Sequence, residues 1–551
     1  RWFSQGKSLD KGILSVLLVI SLLLAFSVAS ITPQVTYTSK STYAYKFTVD
    51  SDGNTYVLIE FKSEESGFSW LILPSYTNWT ISVMNGSLEG GEFKPLPGGG
   101  SFWGNYTFTF SSKDRIFSML IEYFIPLYTF IVEPNGFFLS PLIGFHRGAK
   151  GSATISIEGS IKVDTAFYLS ESLNVIRSTN PKRTVIEGNA TILEFDAISV
   201  SRIGLTFSKR GASPDIVSMV EPPFRMDIPT RYLDIGRRIM ELYRDAYRIL
   251  SDVLDIEFDE TVDVKLFVPT LQQFQEGVAG FVPISPDTLQ SINLNLFNLR
   301  YVSGTMELVA LHELAHHFVK STGVSVDRLW IHEGLAEYVS IELASMLGYG
   351  DAAYSRYNQH MQVLQGVRLS SLSFIQSWNF VNKPADVRLL YAASFYIFRY
   401  IGERHGGLEF YGRVFDILRS MDGVREDSTL ATSIGLALGD ISLGLSEFKK
   451  FGLVGIVDTV SLSSLLSYLR EATKGIPELL ISKPILEALL SQITGLYGRG
   501  LYSEARVLAE VYQALVKLPY TLAAALYVIL AMLALIGLSL KRRIEEYYVG
   551  L

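Results

Sequence analysis

Two histidines one helical turn apart impose the tightest condition on how this chain folds. They stand in His312-Glu313-Leu314-Ala315-His316, and both imidazoles share a face only if the segment is a helix. The approach Thr305-Met306-Glu307-Leu308-Val309-Ala310-Leu311 brings helix formers with apolar residues at helical spacing, and Gly323 offers a stop. Fourteen residues past His316 a second predicted helix begins, Trp330-Ile331-His332-Glu333-Gly334-Leu335-Ala336-Glu337-Tyr338. Imidazoles at i and i+4 suit one Zn²⁺ per chain, and Glu333 is the candidate third ligand. Glu313 lies between the two ligands, where its carboxylate reaches water beside the metal rather than the metal itself. The plainer alternative is a buried helix whose two histidines are satisfied by hydrogen bonds.

Three neighbours need separate expectations. His317 and His332 each lie next to a ligand and point about 100° away on a helix, which places them behind the ligands or on the surface. Glu337 follows Glu333 by one turn and shares its face. It either accepts the second ring N–H of His312 or His316 or sits solvated on the helix surface, and the sequence leaves both open.

Taken together, these segments resemble the gluzincin metallopeptidases, and among them the membrane alanyl aminopeptidase family. That family pairs a His-Glu-x-x-His helix with one opening Asn-Glu-Gly-x-Ala-x-Tyr. Here His332 replaces the Asn, and sixteen residues separate His316 from Glu333, slightly fewer than is usual; a shorter connection costs little. The resemblance implies zinc-dependent peptide hydrolysis, with Glu313 as general base. It also implies an oxyanion-binding Tyr on a later helix, which Tyr391 matches in Tyr391-Ala392-Ala393-Ser394-Phe395, fifty-eight residues after Glu333; its alternative is a core aromatic among twenty-nine Tyr. One departure stands out. The family's Gly-x-Met-Glu-Asn segment, whose Glu grips the substrate amine, corresponds here to Gln275-Glu276-Gly277-Val278-Ala279-Gly280-Phe281, with no Glu after the Gly. Exo- against endo-cleavage therefore stays open. In the same family the strand just before the zinc helix edges the cleft, and the alternating run Ser291–Leu296 is expected to be that strand.

The rest of the chain reads as a multidomain α+β protein with an N-terminal antiparallel β-sandwich, a thermolysin-like zinc domain, a C-terminal helical region and a membrane helix. Residues 33–211 carry β-branched and aromatic runs from Tyr43, Thr55 and Thr154, punctuated by Asp52-Gly53 and Gly98-Gly99-Gly100. Pro214, Pro222, Pro223 and Pro229 mark a boundary. The zinc domain is expected over 212–455, opening on a helix from Tyr232 to Asp255 and a strand from Val262. A helical stalk follows over 456–518, with two helices hinged at Gly498-Arg499-Gly500 and a tetratricopeptide-like start at Tyr502. One hairpin cannot form a solenoid, so packing onto the zinc domain is the expectation.

Two apolar runs set the compartment. Gly12 to Ala29, behind Lys7 and Lys11, is a signal peptide or an uncleaved signal anchor. Residues 519–540 form a membrane span, followed by Lys541-Arg542-Arg543 in a cytoplasmic tail over 541–551. Residues from about Ile31 to Leu518 then lie outside the cytoplasm. Sequons at Asn78, Asn85, Asn105 and Asn189 agree with that side. The absence of Cys excludes disulfides and thiolate sites and suits a prokaryotic envelope. A net charge of −7 with 19% charged residues argues against nucleic acid as partner. A peptide or protein substrate and the lipid bilayer are the expected partners, and the sequence sets no oligomeric state. The competing function is a catalytically silent envelope adhesion or scaffold protein. A zinc hydrolase for a non-peptide bond is a third.

Overall fold

The computed structural model describes residues 40–96, 102–146, 148–170, 175–211, 213–283, 290–301, 303–422, 424–478 and 480–549, with side chains described to 543. The apolar run from Gly12 to Ala29 and the Gly98–Gly100 turn lie outside these residues. The chain divides into two compact units between Ser213 and Pro214.

The first unit is β-rich because its sequence alternates. In Ser41–Val49 and Thr55–Ser63 every second residue is buried, the period that points one side of a strand inward. Between them Gly53 takes φ +87°, and a Cβ there would lie 2.0 Å from the Thr129 carbonyl oxygen, so only glycine fits. A seven-stranded sheet runs in the order Arg183–Glu187, Ala190–Asp196, Lys150–Glu158, Ser41–Val49, Thr55–Ser63, Phe117–Ile125, Trp79–Asn85. Sheets of five and three strands join it. Inward residues of all three, among them Tyr45, Ile155, Phe108 and Leu205, form one core. The pairing is not purely antiparallel as expected. Ser41–Val49 and Lys150–Glu158 run parallel, with Tyr45 opposite Ala153. Long-range parallel pairing of this kind leaves no local trace in the sequence. Asn105 sits within the strand Trp103–Ser111 with its Oδ1 buried.

The second unit opens with a five-stranded mixed sheet in the order Ile216–Glu221, Phe224–Pro229, Val262–Phe267, Ile292–Asn295, Gly280–Phe281. This corrects one expectation. The strand within Ser291–Leu296 is interior, parallel to Val262–Phe267 on one side and antiparallel to Gly280–Phe281 on the other. The edge is the two-residue Gly280–Phe281, too short to show any alternation. Leu233–Leu254 packs across this sheet, burying Ile239, Tyr243, Ala246 and Leu250. Its Gly236 passes so close that a Cβ would meet Met219 and Ile228 at 2.4 and 2.8 Å.

Helices complete the unit. Leu329–Met346 is central, with thirteen of its eighteen residues buried, including Trp330, Leu335 and Leu343. Each such large apolar side chain contributes roughly 1.5–3 kcal/mol by leaving water. Further on, Thr459–Lys474, Ser482–Gly498 and Tyr502–Val516 share a smaller core of Leu462, Leu469, Leu486, Ile493 and Tyr512. The Tyr502 hydroxyl donates to the Val424 carbonyl, which ties this bundle back to the rest of the unit. The last helix carries one segment, Pro519–Arg543, long and apolar enough to cross a membrane and almost wholly unburied.

Candidate metal centre

The first motif helix, Thr305–Ser321, starts at Gly304 and stops before Gly323, both with positive φ. It presents His312 and His316 on one face, their ring centroids 4.7 Å apart. The second motif helix, Leu329–Met346, brings Glu333 to them: Glu333 Oε2 lies 3.2 Å from His312 Nε2 and 3.5 Å from His316 Nε2. One donor atom from each residue falls within a common 4.8 Å span, a size and N,N,O donor set that suit zinc. The three side chains keep 13–18% exposure, so the cluster is recessed yet reachable.

Gly334 explains how a third helix reaches this cluster. A Cβ there would lie 2.6 Å from the Phe398 ring and 2.9 Å from the Ser394 backbone. Its absence lets Val387–His405 pack tightly against the second motif helix. Tyr391, near the start of Val387–His405, thereby comes to stand beside His312. Its ring stands 6.3 Å from that of His312 and is braced edge-on by Trp378 at 5.3 Å. Tyr396, on the same helix, packs on Tyr400 and Phe451 instead.

Charge in the cluster is strongly organised. Burial pushes against ionisation of Glu333, yet the charge of His316 and the bonds from His312 and His316 hold its carboxyl far below the usual range. Burial works to lower His312, but the neighbouring carboxylates of Glu333 and Glu337 overcome it and lift the imidazole to about 10. Glu313 shows the reverse balance. Burial raises its carboxyl, opposed by His316 and His312, and its Oε2 has no hydrogen-bond partner among the described residues. A carboxyl with a raised proton affinity and a vacant oxygen is suited to accept a proton. Burial, followed by the charge of Glu333, pushes Tyr391 well above its ordinary value, so it stays a phenol able to donate.

Glu337 is only 2% exposed and is not solvated. Its Oε2 lies 3.1 Å from His312 Nδ1, and its Oε1 takes hydrogen bonds from Arg356 and, at 2.7 Å, from His360 Nε2. Burial opposes its ionisation, but the charges of Arg356 and His360 keep it well below the ordinary carboxylate range. Sequence reading missed Arg356 and His360. They stand one turn apart on Gly350–Val363, and that spacing is the only local signal they give. Neither His317 nor His332 is a surface residue. His317 is 1% exposed against the Phe258 ring, and His332 is buried with Nε2 3.3 Å from the Val324 carbonyl oxygen.

Gly280 was not singled out either. The edge strand crosses above Glu313 so closely that a Cβ on Gly280 would lie 2.7 Å from Glu313 Oε1 and 3.0 Å from Val309 Cγ1.

No family model matches this chain, and no curated protein matches it. Among solved structures it is similar to the M1 zinc metallopeptidase from Deinococcus radiodurans, at 14% identity and a TM-score of 0.31, covering 74% of this chain and 93% of that one. It is also similar to leukotriene A4 hydrolase from Saccharomyces cerevisiae, at 12% identity and a TM-score of 0.33, covering 83% of this chain and 76% of that one.

Proposed function

We propose that this protein is a zinc-dependent peptidase anchored in a membrane, hydrolysing peptide bonds outside the cytoplasm. The single observation that carries the reading is the convergence of His312, His316 and Glu333 beside a buried Glu313 whose free oxygen is available. In this reading His312, His316 and Glu333 hold the metal, which supplies Lewis acidity to water and to the scissile carbonyl. Residues 212–455 form the thermolysin-like zinc domain, 33–211 a β-sandwich domain, 456–518 a stalk and 519–540 the membrane anchor.

The chain's own residues then divide the work. Glu313 takes a proton from the attacking water as its oxygen joins the carbonyl carbon, and delivers that proton to the departing amine as the C–N bond breaks. Tyr391 donates its phenolic proton in a hydrogen bond to the developing oxyanion. Its ring already stands 6.3 Å from that of His312, a ligand in this scheme. Glu337 orients His312 through Nδ1, leaving Nε2 for the metal. Trp378 holds the Tyr391 ring in place.

Digestion of a peptide library by the zinc-loaded protein tests this, with products mapped by mass spectrometry. Turnover should vanish on chelation and fall by at least about a hundredfold in Glu313→Gln. A Glu313→Gln variant that binds zinc and turns over like wild type would leave the scaffold reading in its place.

A further inference from the structure

We propose that the site needs no free amino terminus on its substrate and cuts internal bonds, including those of N-blocked peptides. This rests on the peptidase reading above and specifies its substrate class. Trimming single residues from a free terminus requires recognition of an ammonium one residue from the cut. A partly buried ammonium needs an anion not already engaged elsewhere.

Among the described residues the carboxylates of the cluster are all committed. Glu333 faces His312 and His316. Glu337 is taken up by Arg356, His360 and His312. Glu313 must keep an oxygen free for the attacking water's proton, which an ammonium bonded there would deny it. Glu276 lies outside the cluster, on an exposed helix end where it accepts from Gln272. The strand over the site adds no charge, since Val278, Ala279, Gly280, Phe281 and Val282 carry none. At Gly280 there is also no room for one, because Glu313 fills the space a side chain would enter.

The strand offers a different kind of recognition. Ala279 turns its carbonyl inward to the Asn295 N–H, and Phe281 lies opposite Asn293 in the same ladder. Antiparallel pairing alternates, so the N–H and C=O of Gly280 between them face away from Ile292–Asn295, where no strand among the described residues pairs with them. An edge of that kind pairs with an extended backbone on both sides of a bond and reads no terminus.

The test uses one peptide in two forms, with a free amine and N-acetylated, offered to the zinc-loaded full chain. Binding of both forms to zinc-loaded Glu313→Gln is measured in parallel. Cleavage of both at the same internal bond, with kcat/KM equal within about threefold, is the expected result. Stepwise release of single residues from the free peptide, with the acetylated form resistant, would overturn the inference while sparing the peptidase reading. Peptides neither cut by wild type nor bound by the variant would overturn both.

Discussion

His312 Nδ1 lies 3.1 Å from Glu337 Oε2, so the imidazole is backed by a carboxylate that is itself held by Arg356 and His360. A carboxylate in this position sets the tautomer of a ligating histidine and raises its basicity. Glu337→Gln should weaken zinc binding by roughly ten- to a hundredfold without loss of fold. Competition against a chelator of known affinity measures this. Wild-type affinity in the variant would reduce Glu337 to a structural ion pair with Arg356.

Tyr391→Phe should lower kcat by about a hundredfold while changing KM little, because the hydroxyl bond to the oxyanion forms chiefly in the transition state. Steady-state kinetics on the best library peptide decide it. An unchanged kcat would remove Tyr391 from the reaction, and Tyr396 is no substitute, since its ring packs on Tyr400 and Phe451.

Gly280→Ala places a methyl group 2.7 Å from Glu313 Oε1, so the carboxylate must shift. Displacement of a reacting group by about an ångström costs on the order of a hundredfold in rate. The expected outcome is a variant with wild-type zinc content, near wild-type melting temperature and kcat lowered to that extent. Full activity would show that Glu313 tolerates another position.

Burial lowers His317 from the ordinary 6.5 to about 3. The unfolded chain takes up this proton below pH 6.5, the folded chain only near 3. The stability from keeping His317 neutral is therefore intact above 6.5 and drains as pH falls toward 3, at roughly 1.4 kcal/mol for each pH unit. In metal-free protein His317→Leu should flatten that decline, and it also removes two ring nitrogens that have no partner among the described residues. Melting curves taken across mildly acidic pH test it. Wild type and variant falling in parallel would mean that other groups dominate. His332, lowered to about 4 chiefly by burial, keeps some of the slope in either case.

What the sequence determined by itself was local and periodic. Helical spacing made His312 and His316 share a face, alternation defined Ser41–Val49 and Thr55–Ser63 as strands, and twenty-odd apolar residues produced a helix able to cross a membrane. Each follows from a repeat that one stretch of chain carries on its own. The tertiary structure alone decided which side chains meet across that spacing. Glu337 stood undecided between ligand support and solvent until Gly350–Val363 packed against its helix and closed Arg356 and His360 on it. Alternation marks Ser291–Leu296 as a strand and the family resemblance puts it at the cleft edge, whereas pairing places Ile292–Asn295 inside and leaves the featureless Gly280–Phe281 outermost. The parallel pairing of Ser41–Val49 with Lys150–Glu158 was equally silent. A contact between distant segments depends on the sum of packing over the whole unit, and no single segment's residues record it.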